Sequence, residues 1–508
     1  MKFLAWMLLA SLACAPRAFA QGSSQPRFGQ VPPAPPMPPA PSVVLQPAPL
    51  PDLGDSSMAD LSPQNERRLG ESVMREIRRD PQYLDDPEVA EYLNGLGGSL
   101  VAVAPGARQD FEFFALRDPT INAFALPGGF IGVHTGLITV SDTESEIASV
   151  LAHEIAHVTQ HHIARQIGIQ KKMQVPMMIA MAAAILLGRS RPDLASGATA
   201  AVQGGAIQSQ LSFSRDFERE ADRLGFQTLA ASNYDVRAMA DFFEKMQRYT
   251  RLMDSGGMPA YLRSHPVTTE RISDAQARAQ GMPYRPHVDS LEYHLVRAKL
   301  RAEALDPVDA VKTFTGAVND RRYANEPGAR YGLAVAYFRA KEYKRSEAEI
   351  ARLRADKVDS PMVDLLAARV RQAQNDAAGA LALLRAAQAR YPYRRSVLYA
   401  LLAELQELGR YDEVLTALAE PLRLYPNDSK LHEARARAYA GQGKRLLQHQ
   451  AQAEVYRLQG NLTAAIEQLQ FAQSAGDGNF YDLSVVDARL KELRAEQIRE
   501  NDEAKKNR

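Results

Sequence analysis

Residues 149–166 read SVLAHEIAHVTQHHIARQ, and four of the ten histidines of this 508-residue chain lie within them. His153 and His157 enclose Glu154 in the pattern His-Glu-x-x-His. On a helix, residues four apart share one face with their Cβ atoms about 5–6 Å apart, so both imidazoles would reach one metal ion. Catalytic zinc usually has three protein ligands, and imidazole is a preferred one. Glu154 then has the position that a general base needs in metal-assisted amide hydrolysis.

A third ligand is available in residues 212–226, SFSRDFEREADRLGF. Glu218 and Asp222 are four residues apart on a predicted helix, so Glu218 would complete a set of two histidines and one glutamate. Asp222 would accept a hydrogen bond from the far nitrogen of a ligand histidine and so select its tautomer. The spacing leaves Glu220 open as a competing ligand, on a different face of the helix from Asp222.

The competing interpretation is a surface helix that carries its histidines by chance, because His-Glu-x-x-His arises at random in about one chain in a hundred of this length. Leu151, Ile155 and Val158 argue against it, since they make the helix amphipathic with one side buried. His161 lies too far along this helix to join the same ion and is predicted to be exposed. The histidines without a predicted role in the site are His134, His161, His162, His287, His294, His432 and His449.

The segments on either side of Pro127-Gly128-Gly129 are rich in aromatic and β-branched residues, which predicts a hairpin. A long helix is predicted to begin at a capping box formed by Ser141 and Glu144 and to run to about Gln166. Together these elements predict a mostly helical α+β domain with a small sheet, over residues 58–285.

The N-terminus has the features of an exported protein. Residues 1–20, MKFLAWMLLASLACAPRAFA, combine a positive start, an apolar stretch and a small-x-small end, which is typical of a cleaved secretory signal peptide. Cys14 keeps a lipoprotein alternative open. It is the only cysteine, so a transition metal in the mature chain must be held by histidine and carboxylate. Residues 21–57, with eleven prolines, are predicted to be a disordered linker.

Two further properties concern possible partners. With a net charge of +1, the chain lacks the excess of basic residues that is typical of a nucleic-acid-binding protein. Residues 173–188, MQVPMMIAMAAAILLG, are apolar but short of a membrane span. They are interpreted as a buried helix or lid, with peripheral membrane contact as the alternative.

The C-terminal part, residues 290–495, predicts an all-α tetratricopeptide solenoid. Lys341-Glu342-Tyr343, Asn375-Asp376-Ala377 and Gly409-Arg410-Tyr411 stand 34 residues apart, and Gly443 continues the series. Gly460 comes only half a repeat later, which predicts compressed or atypical last units. Residues 496–508 are predicted to be a charged, fraying tail.

Four motifs carry a resemblance to a known family: NAFALPGGFIGV (122–133), LAHEIAHVTQHH (151–162), FSRDFEREAD (213–222) and SHPVTTERI (264–272). The chain resembles the gluzincin metallopeptidases related to HtpX and the prenyl-protein proteases. It looks most like the BepA-type periplasmic proteases, which carry a C-terminal tetratricopeptide array.

The resemblance implies roles for particular residues. It selects Glu218 rather than Glu220 as the third ligand of one Zn²⁺. It implies that His265 acts as a fourth ligand that holds the enzyme shut. It also implies that Asn122, Ala123 and Phe124 offer a strand edge to an extended substrate.

The predicted function is an exported zinc endopeptidase of the periplasm. The substrate class that the resemblance implies is misfolded or stalled outer-membrane proteins, and the repeats would bind these clients or the outer-membrane assembly machinery. The alternative is a periplasmic chaperone or scaffold whose metal site is mostly silent. An integral prenyl-protein protease is disfavoured, since no segment beyond the signal is long enough to span a membrane.

Overall fold

A computed structural model of the chain describes residues 62–169, 214–252 and 259–506. The predicted signal peptide (1–20), the predicted Pro-rich linker (21–57) and the apolar segment 173–188 lie outside the described residues.

The sheet formed by the described residues has three strands: β1 (Glu112–Leu116), β2 (Ala123–Leu126) and β3 (Phe130–His134). The strand order is β1-β3-β2, with β1 parallel and β2 antiparallel to β3. The turn between β2 and β3 places Gly128 and Gly129 at φ 76° and 91°, a conformation that favours glycine. The predicted hairpin is confirmed, and its first strand, β2, lies at the edge of the sheet.

Nine helices are described around this sheet. They are α1 (Pro63–Ile77), α2 (Pro87–Val101), α3 (Thr135–Val140), α4 (Glu144–Thr159), α5 (His162–Ile169), α6 (Arg215–Ala231), α7 (Arg237–Leu252), α8 (Ala260–Ser264) and α9 (Thr269–Gln280). Every residue of α4 is buried, because α2, α6, α7 and the sheet all pack against it. A helix enclosed on all sides can hold polar residues only where they have partners, and this is the helix that carries His-Glu-x-x-His.

The predicted capping box of α4 is wrong by two residues. Thr143 is the N-cap, and its hydroxyl accepts a hydrogen bond from the Glu146 backbone N–H at 3.3 Å. Ser141 instead donates its hydroxyl to the Leu137 carbonyl at 2.8 Å, at the end of α3. Residues 135–140, which the sequence pattern assigns to the second strand of the hairpin, form the short helix α3 instead. Ser141 is therefore the C-cap of α3 and not the N-cap of α4.

The predicted continuous helix to Gln166 is also wrong. Helix α4 ends at Thr159, His161 takes the left-handed backbone conformation (φ 50°), and α5 begins at His162. This break changes the direction of the chain at the end of the His-Glu-x-x-His motif, and it decides which histidines meet.

The second half of the chain is a solenoid of helix pairs. Its helices are α10 (Leu291–Ala304), α11 (Pro307–Asn319), α12 (Glu326–Arg339), α13 (Tyr343–Ala355), α14 (Pro361–Ala373), α15 (Ala377–Arg390), α16 (Arg395–Glu407), α17 (Tyr411–Leu424), α18 (Ser429–Gly441), α19 (Arg445–Leu458), α20 (Leu462–Ser474) and α21 (Phe480–Lys506). The second helices of four successive pairs, α13, α15, α17 and α19, each begin 34 residues after the one before. Each pair buries its apolar face against the next, as stacked repeats do.

The residues that revealed this period in the sequence share one conformation. Lys341, Asn375, Gly409 and Gly443 all have positive φ, between 60° and 72°, in the turn between the helices of a pair. A left-handed residue ends one helix and reverses the chain, which is why this position repeats so clearly.

The predicted compression after Gly443 is wrong. Helix α20 begins 33 residues after α18, so the spacing of the helices continues. Gly460, at φ 71°, stands in the turn between two pairs rather than within one. The last helix is atypical in its length of 27 residues, and it continues through the charged segment to Lys506.

The repeats lie directly against α2 of the first domain. The Lys299 ammonium is paired with Asp86 and Glu88, and the Ser396 hydroxyl donates to the Glu91 carboxylate at 2.6 Å. Within the described residues, no helix is both long enough and apolar enough to cross a membrane.

Candidate metal centre

Side chains from three separate segments meet beside α4. They are His153 and His157 of α4, Glu218 of α6, and His265 in the loop after α8; one ligand atom of each lies within 4.8 Å of all the others. All four residues are at most 3% exposed. The sequence prediction placed these four residues at one site, and the structure brings them together.

The spacing of the ligand atoms fits a metal ion. His153 Nε2 lies 3.0 Å from His157 Nε2 and 3.6 Å from Glu218 Oε2, and His157 Nε2 lies 3.3 Å from Glu218 Oε1. Tetrahedral ligands with metal bonds of about 2.0–2.2 Å are separated by about 3.3–3.6 Å. Two facing imidazole nitrogens also need a proton or a cation between them. The residues present therefore suit a divalent metal held by two histidines and one glutamate.

Electrostatics keep these ligands in the forms that bind a cation. Burial lowers the pKa of His157 well below 6.5, so its ring is neutral at physiological pH. Burial would raise the pKa of Glu218, but the neighbouring His265 and His157 outweigh it and hold the pKa well below its usual range. The site thus offers the neutral imidazole of His157 and the ionised carboxylate of Glu218.

Asp222 and Arg271 surround the ligands from outside. Asp222 Oδ1 lies 3.0 Å from His153 Nδ1, the nitrogen on the far side of that ring from the ligand cluster. Arg271 binds Glu218 Oε2 and Asp222 Oδ2, each at 2.7 Å. Burial would raise the pKa of Asp222, but the Arg271 charge outweighs burial and lowers it. Sequence reasoning missed Arg271, although the residue lies inside the quoted SHPVTTERI motif.

His265 lies within the ligand cluster rather than beside it. Its Nδ1 is 2.9 Å from Glu218 Oε1 and 3.3 Å from His153 Nε2, and its Nε2 is 3.4 Å from Glu154 Oε1. Its ring stacks on Tyr261, with centroids 4.9 Å apart. Burial would lower its pKa, but the Glu218 and Glu154 carboxylates raise it above 6.5.

Glu154 is fully buried next to this cluster. Among the described residues, no group donates a hydrogen bond to either of its carboxylate oxygens. A buried carboxylate without donors is costly, so its presence indicates a functional requirement.

His162 is a second residue that sequence reasoning missed. It is fully buried, with Nδ1 3.0 Å from His157 Nδ1 and Nε2 3.2 Å from Glu220 Oε2. Burial lowers the pKa of His162 to about 4. Glu220 also accepts a hydrogen bond from Arg165 at 2.9 Å, so the structure places it outside the ligand cluster.

Two other histidine predictions have definite outcomes. His161 is half-buried rather than exposed, with Nδ1 2.9 Å from the Glu66 carboxylate. His287 lies near Glu144 and Asp289 in an arrangement that resembles a metal group. The Glu144 carboxylate there accepts hydrogen bonds from the backbone and hydroxyl of Ser290, at 2.8 and 2.7 Å, so this cluster is a contact between the two halves of the chain.

The predicted substrate strand has the expected place in the sheet. Ala123 and Phe124 belong to the edge strand β2, and Asn122 directly precedes it. The Asn122 amide nitrogen lies 3.4 Å from His134 Nε2, at the end of the neighbouring strand β3.

Comparison with known proteins supports this geometry. The model of peptidase family M48 matches residues 87–279, which include every residue of the candidate centre. A beta-barrel assembly-enhancing protease of Yersinia pestis is 33% identical over 452 residues, covering 88% of this chain and 91% of the relative. The chain belongs to peptidase family M48.

Other relatives agree with this assignment. The Escherichia coli K12 beta-barrel assembly-enhancing protease is 32% identical over 464 residues, covering 89% of this chain and 92% of that protein. A putative protease of the same description from Vibrio cholerae is 30% identical over 316 residues, covering 62% of this chain and 65% of that protein. This M48 peptidase is therefore a metalloprotease of the beta-barrel assembly-enhancing type.

Proposed function

We propose that this M48 peptidase is a zinc-dependent endopeptidase with His153, His157 and Glu218 as metal ligands. The observation that carries the proposal is the convergence of these three side chains around one point, with the buried Glu154 carboxylate beside it. A site of two imidazoles and one carboxylate, without thiolates, suits zinc in its catalytic form.

The protein residues divide the work of peptide hydrolysis. Glu154 acts as the general base, taking a proton from the attacking water on a carboxylate oxygen and passing it to the leaving amine. His153 keeps its proton on Nδ1, facing Asp222, so that Nε2 is free to bind the ion. A zinc ion held here would act as a Lewis acid on the scissile carbonyl and on the attacking water.

His265 is proposed to hold the enzyme in a closed state. It lies in contact with the ligand cluster and with Glu154, so a substrate cannot occupy the same space. Glu154 is 0% exposed, so a peptide can reach it only if the loop that carries His265 rearranges.

The proposed substrates are misfolded or stalled outer-membrane proteins. Relatives named for enhancing beta-barrel assembly support this class. An extended segment of such a protein would pair with the β2 edge near Asn122, Ala123 and Phe124 through main-chain hydrogen bonds, which accept many sequences. The proposed location is the periplasm, reached by means of the signal peptide in residues 1–20.

The solenoid of residues 290–495 is proposed to bind these clients or the outer-membrane assembly machinery. The closed centre also favours the second candidate function, a chaperone or scaffold that acts while the metal site is silent. Both functions would coexist in one protein if His265 controls access.

Metal content tests the centre. We expect about one zinc per chain in the purified protein and a large loss in Glu218→Gln, since a ligand is removed. Asp216→Asn is the matched control, because Asp216 lies on the exposed face of the same helix and pairs with Arg219. Equal zinc in wild type and Glu218→Gln would contradict the assignment.

Glu154→Gln separates the protease from the scaffold. The variant should keep its zinc, lose cleavage of casein, and retain binding to an unfolded outer-membrane protein. If the variant loses both casein cleavage and its ability to assist outer-membrane protein assembly in cells, the assistance depends on the protease activity. Retained assistance identifies the scaffold.

A further inference from the structure

His157 and His162 form an imidazole pair that the roles described above do not use. Their Nδ1 atoms are 3.0 Å apart, and both rings are fully buried. In one unbroken helix, residues five apart point about 140° away from each other. The break at His161 turns the second ring back onto the first.

A hydrogen bond between two ring nitrogens has a direction. One nitrogen must carry the proton and the other must offer its lone pair. His157 Nε2 faces His153 Nε2 and Glu218, where the proposed ion would lie. It can bind that ion only if it carries no proton and offers its lone pair. The proton of the neutral ring is then on His157 Nδ1, which donates to His162 Nδ1.

The same reasoning determines the proton of His162. Since its Nδ1 accepts, its proton is on Nε2 and is donated to Glu220 Oε2, 3.2 Å away. Arg165 Nη1 donates to the same oxygen at 2.9 Å and keeps the carboxylate ionised and in place. The opposite direction would place a proton on His157 Nε2, between the ligands, where it competes with the metal.

The surroundings of His162 hold its ring in one orientation. The ring stacks on Phe217, with centroids 4.5 Å apart and planes 11° apart. Phe217 is the residue before the ligand Glu218, so the same turn of α6 positions a ligand and supports the imidazole pair.

We propose that His162 is a positioning residue of the metal centre. His162 Nδ1 accepts a hydrogen bond from His157 Nδ1–H. Glu220 fixes the tautomer of His162 by accepting a hydrogen bond from its Nε2–H. His157 Nε2 then presents a lone pair to the ion. The partners of ligand histidines are usually carboxylates or carbonyls, and their loss typically weakens metal binding by about 10–100-fold. The inference rests on the metal centre proposed above.

Two substitutions at one position test the proposal. His162→Phe keeps an aromatic ring against Phe217 but removes the acceptor. His162→Asn loses the ring but places Oδ1 near the position of Nδ1. In a zinc competition assay with a chromophoric chelator, we expect the dissociation constant to rise about 10–100-fold in His162→Phe and by less than about 10-fold in His162→Asn.

A purely structural role predicts the opposite order, because Phe preserves the packing better than Asn. The melting temperatures of the metal-free proteins measure that packing separately. Zinc binding as tight in His162→Phe as in wild type, or weaker in His162→Asn than in His162→Phe, would overturn the proposal. Failure of the wild type to bind zinc would overturn the proposed centre itself.

Glu220→Met is the second variant, for the case in which position 162 does not tolerate substitution, because Met removes the acceptor oxygen that Gln would keep. Glu220 is half-buried at the edge of the site, so its replacement leaves the core intact. We expect weaker zinc binding with an unchanged metal-free melting temperature. Unchanged zinc binding would contradict a role of Glu220 in fixing the tautomer.

Discussion

Arg271 neutralises the acidic side of the candidate centre. Its guanidinium binds both Asp222 oxygens and one Glu218 oxygen, each at 2.7 Å, and donates to the Pro266 carbonyl at 2.9 Å. It therefore ties α6, which carries the proposed ligand Glu218, to the loop that follows His265. The planar fork of arginine suits this bidentate geometry, and the ammonium of lysine does not.

Replacing Arg271 should damage both stability and metal binding. Arg271→Met removes the main counter-charge of two buried carboxylates, so we expect a loss of about 3–5 kcal/mol in the free energy of unfolding. Arg271→Lys should recover only part of it. Denaturant unfolding measures the loss. Arg278→Met is the control, since Arg278 is exposed on the same helix and pairs with Asp274 at the surface. Equal effects of the two Met variants would contradict this role.

His265 is the residue whose removal should increase activity. His265→Ala frees the space beside Glu154 while the three ligands remain, so casein cleavage should rise above the wild-type rate. His449→Ala, in the solenoid, should leave the rate unchanged. Equal or lower cleavage by His265→Ala, with zinc retained, would show that His265 does not close the site.

At the scale of elements, the centre depends on how closely α6 approaches α4. Gly225 lies at their contact, where an added Cβ would be 3.1 Å from the His153 backbone nitrogen and 3.2 Å from the Ala152 carbonyl carbon. These are atoms of a helix backbone, which cannot move aside as a side chain can. Glycine at this position allows the helix with Glu218 and Asp222 to lie against the helix with the histidines.

A methyl group at this contact should weaken the metal site. Gly225→Ala must push α6 away from α4 by a few tenths of an ångström, so zinc binding should weaken. The free energy of unfolding should fall by about 1–3 kcal/mol. Gly316→Ala is the matched control, because nothing lies within 4 Å of its added Cβ. The control should stabilise its helix by up to about 1 kcal/mol. Calorimetry and zinc competition compare the two. Stabilisation by both would contradict the tight contact.

At the scale of the whole molecule, a buried charge cluster joins the protease domain to the solenoid. Lys299 of α10 is 1% exposed and is paired with Asp86 and Glu88 at the start of α2. Arg369 lies 3.8 Å from the same Glu88. A lysine buried between two domains is tolerated only with such partners, so the cluster specifies one way for the halves to meet.

Lys299→Met should weaken the contact between the protease domain and the solenoid. The substitution leaves two carboxylates without their main partner, so we expect a loss of about 3–5 kcal/mol in the free energy of unfolding. Lys312→Met, on the exposed face of α11, should change it by less than about 0.5 kcal/mol. Denaturant unfolding, followed separately by signals from each half, measures the effect. A loss below 1 kcal/mol would show that the cluster contributes little.

The same cluster predicts how stability depends on pH. Burial would raise the pKa of Asp86, but Lys299 outweighs it and holds the pKa below 3.8. Burial would lower the pKa of Lys299, but Glu88 and Asp86 raise it above 10.5. The Asp86 contribution is complete above 3.8 and is lost as the pH falls toward its folded pKa. The Lys299 contribution is complete below 10.5 and is lost as the pH rises toward its folded pKa.

The stability difference between wild type and Lys299→Met should therefore be largest from about pH 7 to pH 9 and should narrow in acid, where the unpaired carboxylates of the variant become protonated, and in strong alkali. Denaturant unfolding at a series of pH values measures it. A difference that changes steadily through neutral pH would point to other titrating groups.

Much of this protein follows from local sequence patterns. The spacing of His153 and His157, and that of Glu218 and Asp222, reflects the turn of a helix. The hairpin at Gly128 and Gly129 reflects backbone conformations that glycine adopts most easily. The 34-residue period is visible because one left-handed turn recurs in each helix pair. In all these cases the interacting residues are close in sequence or repeat at regular intervals, so their geometry can be calculated without the fold.

The rest depended on contacts between distant segments. Helix propensity extended α4 through His161, but the folded chain breaks there, and only the break brings His162 to His157. The spacing of Glu218 and Glu220 leaves the third ligand open, and only the packing of α6 on α4 brings Glu218 to His153 and His157 and Glu220 to His162. Arg271 had no local signal, because its partners lie about 50 residues away. The buried Lys299 is likewise explained only by the helix that covers it, since the energy of a buried charge depends on neighbours that the tertiary structure supplies.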